Sequence, residues 1–254
     1  MRVLICGSGL LGKSLHSYLI SKKQLTSDLI SLRKCKFTNF KNKFHLLDKN
    51  DIFIDSMDPN DVNNNFDIQI NKKAITFRTY ALKNSSKISY FYISTANLYK
   101  KSLSYIDERS ELNKNYSPYL SMKLNSENFI KKFSKSNYAI LRIVNIWNNN
   151  VSNSFFGDLI NAKIKNLKIH PRKNDDDVIS YANIIDICKL LAHIIISKQT
   201  GIINISTNCF NTRENLKAIV NSTEIKDFNN KEGHRILSNI INWKEILGYK
   251  KEFL

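Results

Sequence analysis

Tyr119 and Lys123 are the residues of this chain whose types and spacing point most directly to proton transfer. Positions i and i+4 of a helix lie one turn apart on one face, so a phenol and an ammonium meet there. A free phenol titrates near about 10 and is a poor acid–base group at neutral pH. A neighbouring ammonium favours the phenolate, and the partial positive charge of a helix start adds to this. Such a phenol can pass a proton to or from a hydroxyl or carbonyl oxygen. The same spacing is common on solvated helix faces, so the pair gains meaning only from the elements that position it.

Those elements can be read outward from the pair. Ser117-Pro118 supplies an N-cap followed by proline at the first helical position, which predicts a helix running to about Phe133 with Tyr119 in its first turn. Upstream, Ile88 to Ile93 is a β-branched and aromatic run and reads as a strand, ending in the hydroxyl-rich Ser94-Thr95. At the start of the chain, Val3-Leu4-Ile5 reads as a strand buried on both faces. It breaks into Gly7-Ser8-Gly9-Leu10-Leu11-Gly12 and resumes as a helix through Leu15 to Ile20. In that order a GxGxxG loop serves a dinucleotide. Gly7 makes the tight turn, Gly9 lets backbone approach a pyrophosphate, and Gly12 lets helix pack on strand. The helix N-terminus then faces the anion. Residues 7 to 12 are therefore the expected cofactor contacts, and the phenol's proton would accompany hydride transfer with nicotinamide.

Ser27 to Leu32 reads as the second strand, followed by Arg33 and Lys34. An acid at that strand's end accepts from the ribose 2′-hydroxyl of NAD, whereas a base there pairs with the 2′-phosphate of NADP. Asp28 comes too early in the strand, so Arg33 and Lys34 favour NADP, with NAD as the alternative. Asp51 to Met57 is the next strand, ended by Asp58-Pro59-Asn60, and it brings Ser56 and Met57 to the cofactor side. A helix over about 70–83 precedes the strand that ends at Ser94-Thr95. Tyr138 to Val144 is a further strand, Ile184 to Ile196 a helix, and Gly201 to Ile205 a short strand. Arg213 to Val220 and Trp243 to Leu247 read as helices, and Gly248 as a stop.

This alternation predicts an α/β protein, a Rossmann doubly wound parallel sheet whose ligands sit beyond the carboxyl ends of the strands. The domain reading is a nucleotide-binding domain over 1–147, with 177–206 returning to it. A small substrate-binding region would comprise 148–176 and 207–254.

Composition removes other classes. With 42% hydrophobic and 24% charged residues, the 254-residue chain is an ordinary globular protein. The longest apolar run, Leu190 to Ile196, is too short to span a membrane and is interrupted by His193. The first strand starts at residue 2, which predicts no secretory leader and a cytoplasmic protein. Cys6, Cys35, Cys188 and Cys209 lie far apart, and the histidines form no ligand pair, so neither a disulfide frame nor a metal site is expected. The net charge of +17 is spread along the chain amid abundant asparagine and isoleucine. That reads as compositional bias rather than a nucleic-acid surface, although the field would favour an anionic substrate.

In sequence order these pieces resemble the extended short-chain dehydrogenase/reductases, the NAD(P)-dependent sugar-nucleotide epimerase/dehydratase family. Ile93-Ser94-Thr95-Ala96-Asn97-Leu98-Tyr99 is similar to the family's S-[ST]-x-x-V-Y segment, and Tyr119 to Lys123 to its YxxxK. Leu141-Arg142-Ile143-Val144-Asn145 resembles L-R-x-x-N, Gly201 to Ile205 resembles G-x-Y-N-I, and Leu247-Gly248-Tyr249 resembles L-G-[WY]. Val178 to Ile187 resembles the segment that leads into a late helix near the substrate. The resemblance implies Tyr119 as general acid–base. Lys123 would bond the nicotinamide ribose and lower the phenol's pKa, and Thr95 would bond the reacting oxygen. Thr95, Ala96, Asn97, Tyr119 and Asn145 would touch the sugar nucleotide.

Departures narrow the reaction. Cys6 and Lys100 stand where family glycines are expected, and Asn183 where an acid is frequent. Ala96-Asn97 replace the acidic pair of the dehydratases, which argues against dehydration. The expectation is an NADP-dependent reductase of a keto sugar nucleotide in surface polysaccharide synthesis, similar to the dTDP-4-dehydrorhamnose reductases. Epimerisation through transient oxidation and a non-catalytic NAD(P)-binding protein are the alternatives. The expected partners are the nucleotide sugar and a second copy of the chain through its helices, not nucleic acid or membrane.

Overall fold

The computed structural model describes residues 1–22, 26–31, 45–48, 50–58, 65–83, 88–134, 137–148, 159, 162–165, 176–221, 229–238, 240 and 243–248. Two compact units divide the chain. The first comprises Met1–Thr95, Asn115–Arg142 and Cys188–Ile203; the second comprises Ala96–Lys114, Ile143–Ile187 and Asn204–Leu254.

The first unit opens with β1 (Arg2–Cys6), α1 (Leu10–Ile20), β2 (Thr26–Ile30), α2 (His45–Asp48), β3 (Ile52–Asp55), α3 (Asn65–Lys83) and β4 (Ser89–Thr95). After β5 (Tyr105–Ile106), which belongs to the second unit, come α4 (Pro118–Phe133) and β6 (Tyr138–Ile143). The remaining elements are β7 (Asn145–Trp147), β8 (Val178–Asn183), α5 (Ile184–Ser197), β9 (Gly201–Ile205), β10 (Phe210–Thr212), α6 (Arg213–Asn221), β11 (Arg235–Ile236) and α7 (Trp243–Leu247).

A parallel sheet of order β2-β1-β3-β4-β6-β9 is the centre of the fold, as the alternation of elements predicts. Val3, Leu4, Ile5 and Cys6 are all without solvent contact, as are Ile52, Phe53 and Ile54. A strand covered by helices on both faces needs apolar residues throughout rather than in alternation. Along one face Leu4, Cys6, Phe53, Tyr90, Tyr92 and Ile140 form one cluster with Ala74, Phe77 and Ala81 of α3. Phe53 stacks on Phe77 at 5.5 Å between ring centroids and meets the edge of Tyr90 at 5.2 Å. Burying each such side chain contributes about 1.5–3 kcal/mol.

The chain's order reverses about β1, with β2 on one side and β3 on the other. In open α/β sheets the crevice beyond the carboxyl ends at such a reversal is where ligands bind. Gly7 follows β1, and Ser56 follows β3.

Element ends differ from the sequence reading where polar residues carry no periodic signal. β2 begins at Thr26 and ends at Ile30, and α3 begins at Asn65 rather than near residue 70. The second unit holds β10-β8-β7 and β11-β5 sheets that the sequence did not foretell. Their strands are mostly two or three residues long, below the length at which alternation can be recognised. No described helix is long and apolar enough to cross a membrane.

Candidate active site

The glycine turn is built by contact. Gly7 has φ +124°, a conformation rare for L side chains, and a Cβ placed on it would lie 2.0 Å from the Ser56 carbonyl oxygen. A Cβ on Gly12 would lie 1.8 Å from the Gly7 carbonyl oxygen, so α1 can close on the turn only through glycine. Gly9 is different: a Cβ there would meet nothing within 4 Å among the described residues. It is the N-cap of α1, at φ −67° and ψ −175°, and no side chain caps the helix. Open space therefore stands at a helix N-terminus whose first N–H groups have no intrahelical partner, the arrangement that accepts a phosphate. Ser8 donates its hydroxyl to Ser31 Oγ at 2.6 Å, and the Gly7 amide donates to the Ile30 carbonyl at 2.9 Å. Leu10 is exposed, Leu11 half-buried and Met57 buried. Arg33 and Lys34 lie outside the described residues.

The α4 helix starts as its sequence demands. Ser117 caps it by accepting from the Leu120 amide at 3.3 Å, and Pro118 opens the first turn. Tyr119 is half-buried and Lys123 buried, and the ammonium lies 5.8 Å from the Tyr119 ring centroid. Lys123 Nζ donates to the Ile93 carbonyl at 2.8 Å, which ties the helix to β4 two residues before Thr95. Thr95 is buried at the strand end. Tyr119, Lys123, the end of β4 and the glycine turn thus all belong to the first unit.

Sequence reasoning did not find the network beneath them. Asp55 and Asp58, at and after the end of β3, both accept from Arg78 of α3. Arg78 Nε and Nη2 reach Asp55 at 2.6 and 3.2 Å, Nη2 reaches Asp58 at 2.9 Å, and Nη1 reaches Ser126 Oγ of α4 at 2.8 Å. The Tyr90 hydroxyl donates to Asp55 and the Tyr92 hydroxyl to Asp58. Lys123 Nζ closes the chain 3.3 Å from Asp58 Oδ2. The Tyr92 ring lies 5.1 Å from the Arg78 guanidinium carbon and 5.2 Å from Lys123 Nζ, within cation–π range of both.

Burial alone would raise the Asp58 carboxyl. Arg78 and Lys123 beside it, with the hydrogen bonds from Arg78 and Tyr92, hold it well below the usual carboxylate range instead. Burial and then the adjoining carboxylates push the Tyr90 and Tyr92 phenols well above their ordinary value. Both stay protonated donors at neutral pH. A second buried group joins Glu127 to Arg142 at 3.0 and 2.7 Å and to the Ser94 hydroxyl at 2.6 Å. Ser94 is committed to that structural bond.

The other expected substrate residues belong to the second unit. Ala96 and Asn97 form a 3-10 turn, Ala96–Leu98, with Ala96 buried and Asn97 half-buried. Asn145 begins β7 and donates its amide to the Ser180 carbonyl of β8 at 2.9 Å. In the same unit the Tyr99 hydroxyl donates to Asn204 at 2.8 Å. No group of three or more His, Cys, Asp or Glu among the described residues could hold a metal ion.

No protein-family model and no curated protein matches the chain. Solved structures share its fold. A dTDP-4-dehydrorhamnose reductase from Clostridium acetobutylicum is 19% identical, with 97% of each chain covered and a TM-score of 0.72. A UDP-glucose 4-epimerase from Thermus thermophilus, in complex with NAD, is 14% identical over 99% of this chain and 94% of its own, with a TM-score of 0.71. A human epimerase family protein with NADPH is 14% identical over 100% of this chain and 95% of its own, with a TM-score of 0.69. The likeness therefore runs through the whole chain and establishes the fold.

Proposed function

We propose that the protein is an NAD(P)-dependent oxidoreductase of nucleotide-linked sugars, an extended short-chain dehydrogenase/reductase that reduces a keto sugar nucleotide. The observation that carries this reading is the company of Tyr119. The phenol sits in the first turn of a capped helix, its Lys123 neighbour is bonded to β4 beside Thr95, and the same unit holds the open Gly9 turn. Solved enzymes of the same fold include a reductase and an epimerase of sugar nucleotides, which supports the substrate class.

The residues fit a nicotinamide dinucleotide. The space where Gly9 lacks a Cβ would admit the pyrophosphate against α1, and Ser8, Leu10, Leu11, Ser56 and Met57 would line its path. When bound, that cofactor supplies or accepts hydride. The chain's own residues move the proton. Tyr119 would deliver it to the carbonyl oxygen, Thr95 would hydrogen-bond that oxygen, and the Lys123 ammonium would stabilise phenolate as it forms. Ala96, Asn97 and Asn145 are assigned to the sugar nucleotide on the resemblance. Arg33 and Lys34 favour the 2′-phosphate of NADP, with NAD as the alternative. The setting proposed is cytoplasmic synthesis of surface polysaccharide, by a homodimer without nucleic-acid or membrane partners.

A panel of 4-keto sugar nucleotides, each tested with NADPH and NADH, decides the matter. Oxidation of NADPH by one of them is expected. Interconversion of epimers without net oxidation would assign the epimerase instead, and no reaction with any would leave only a binding protein. Arg33→Ala should weaken NADPH far more than NADH; equal losses would remove the 2′-phosphate contact.

A further inference from the structure

The Lys123 ammonium has two oxygen neighbours, the Ile93 carbonyl and the Asp58 carboxylate. Its side chain is 7% exposed, and those of Asp58 and Arg78 are 0% and 2% exposed. The ammonium carries three donors on a flexible stem. One meets the Ile93 carbonyl at 2.8 Å, and the Asp58 carboxylate lies 3.3 Å from the same nitrogen. Asp58 is itself immobilised by Arg78 Nη2 at 2.9 Å and by the Tyr92 hydroxyl. Arg78 in turn is fastened to Asp55 and to Ser126, one turn beyond Lys123 on α4. The chain of contacts runs from the end of β3 through α3 to the acid–base helix.

We propose that Asp58 is a positioning residue: with the Ile93 carbonyl it orients the Lys123 ammonium so that the third N–H is presented to a hydroxyl of the bound nucleotide. This rests on the oxidoreductase reading above and adds a residue that the YxxxK pattern does not contain. Asp58 is not assigned a contact with Tyr119 or the reacting oxygen; it acts only through Lys123. Loosening an anchored group by even about 1 Å can cost about a hundred-fold in rate.

A double-mutant cycle on the full-length protein tests it, with kcat normalised to sites that bind NADPH. Asp58→Asn should lower kcat about ten-fold or more, toward the roughly hundred-fold that a misplacement of about 1 Å can cost. In a Lys123→Met background the same substitution should change kcat little, because its only route of action has gone. Asp55→Asn is the control. It disturbs an equally buried carboxylate that reaches Lys123 only through Arg78 and Asp58, so its effect should depend on Lys123 much less than that of Asp58→Asn. Effects of Asp58→Asn and Lys123→Met that multiply, or an unchanged kcat in Asp58→Asn, would overturn the proposal. Should Asp58→Asn not fold, Arg78→Met added to both arms removes the stranded guanidinium, and the cycle is read there. A parent that reduces no keto sugar nucleotide sinks the oxidoreductase reading alone. The cycle is then run on the NADPH dissociation constant, where non-additive losses support the role of Asp58 and multiplying losses refute it.

Discussion

Arg142 of β6 grips Glu127 of α4 through two parallel contacts, Nε to Oε1 at 3.0 Å and Nη2 to Oε2 at 2.7 Å, with both side chains out of solvent. Two-point contact in a dry setting is the strong form of an ion pair. It fastens α4 to the sheet one turn after Lys123. Removing one partner leaves the other charged and buried. Arg142→Met should therefore cost about 3–5 kcal/mol in urea unfolding. Arg142→Met combined with Glu127→Gln should lose less than the single substitution, since no lone charge remains; an equal or greater loss would show that burial of charge is not the cause.

The three glycines of the first turn should respond differently to alanine. Gly7→Ala forces a side chain into φ +124° and onto the Ser56 carbonyl, and Gly12→Ala drives one onto the Gly7 carbonyl. Both should lower the melting temperature along with nucleotide binding. Gly9→Ala meets nothing within 4 Å among the described residues and keeps an ordinary φ, so it should cost about 1 kcal/mol or less as a cap change. Its methyl nevertheless fills the space assigned to pyrophosphate, and NADPH fluorescence titration should register a loss of affinity at nearly unchanged melting temperature. Undiminished affinity would place the phosphates elsewhere.

Tyr119→Phe removes a hydroxyl from a half-buried ring and leaves Lys123 on its Ile93 and Asp58 anchors. Turnover of the keto sugar nucleotide should fall about 10²–10⁴-fold, the usual contribution of a positioned proton donor. Affinity for NADPH should stay within a few-fold. A variant as active as the parent would take the phenol out of the mechanism.

Acid titration reads the Asp58 environment. Its folded-state pKa lies well below the ordinary carboxylate value, so the stability it contributes is complete above about 3.9 and fades as pH falls toward the folded value. Over that interval the unfolded chain binds a proton that the folded one refuses. In urea unfolding between about pH 4 and pH 2 the parent should lose up to about 1.4 kcal/mol per pH unit more than Asp58→Asn. Parallel slopes would mean that Asp58 is not held charged in the fold.

What the sequence disclosed was punctuation and order. The apolar run before Gly7, the spacing of the glycines, the Ser117-Pro118 cap and the strand at residues 201–205 each follow from local chemistry, and each appears in the structure. The buried polar network does not follow from local chemistry. Asp58 stands before Pro59 and reads as a turn former, and its meaning depends on Arg78, Tyr92 and Lys123, which come from three other elements. A signal was present in the helices. Ala74, Phe77 and Ala81 mark the buried stripe of α3, and Arg78 falls on it at i+4 from Ala74. In α4 the buried positions Lys123, Ser126, Glu127 and Ile130 have the i, i+3, i+4, i+7 spacing, with only the last apolar. A charge on an apolar stripe announces a partner across the interface; the identity of that partner is a tertiary fact. The short strands of the second unit had no comparable signal.

Two acids and two bases meet in the interior as Asp55, Asp58, Arg78 and Lys123, and their formal charges cancel. An electroneutral cluster has a field that dies away within a few ångströms, so it neither repels nor recruits a distant anion. The net charge of +17 is therefore carried by residues outside this cluster, and wherever those side chains are exposed about 10 Å of electrolyte at 0.1 M suffices to screen them. Long-range attraction of an anionic ligand would thus vary with ionic strength, while the contacts within the neutral cluster would not.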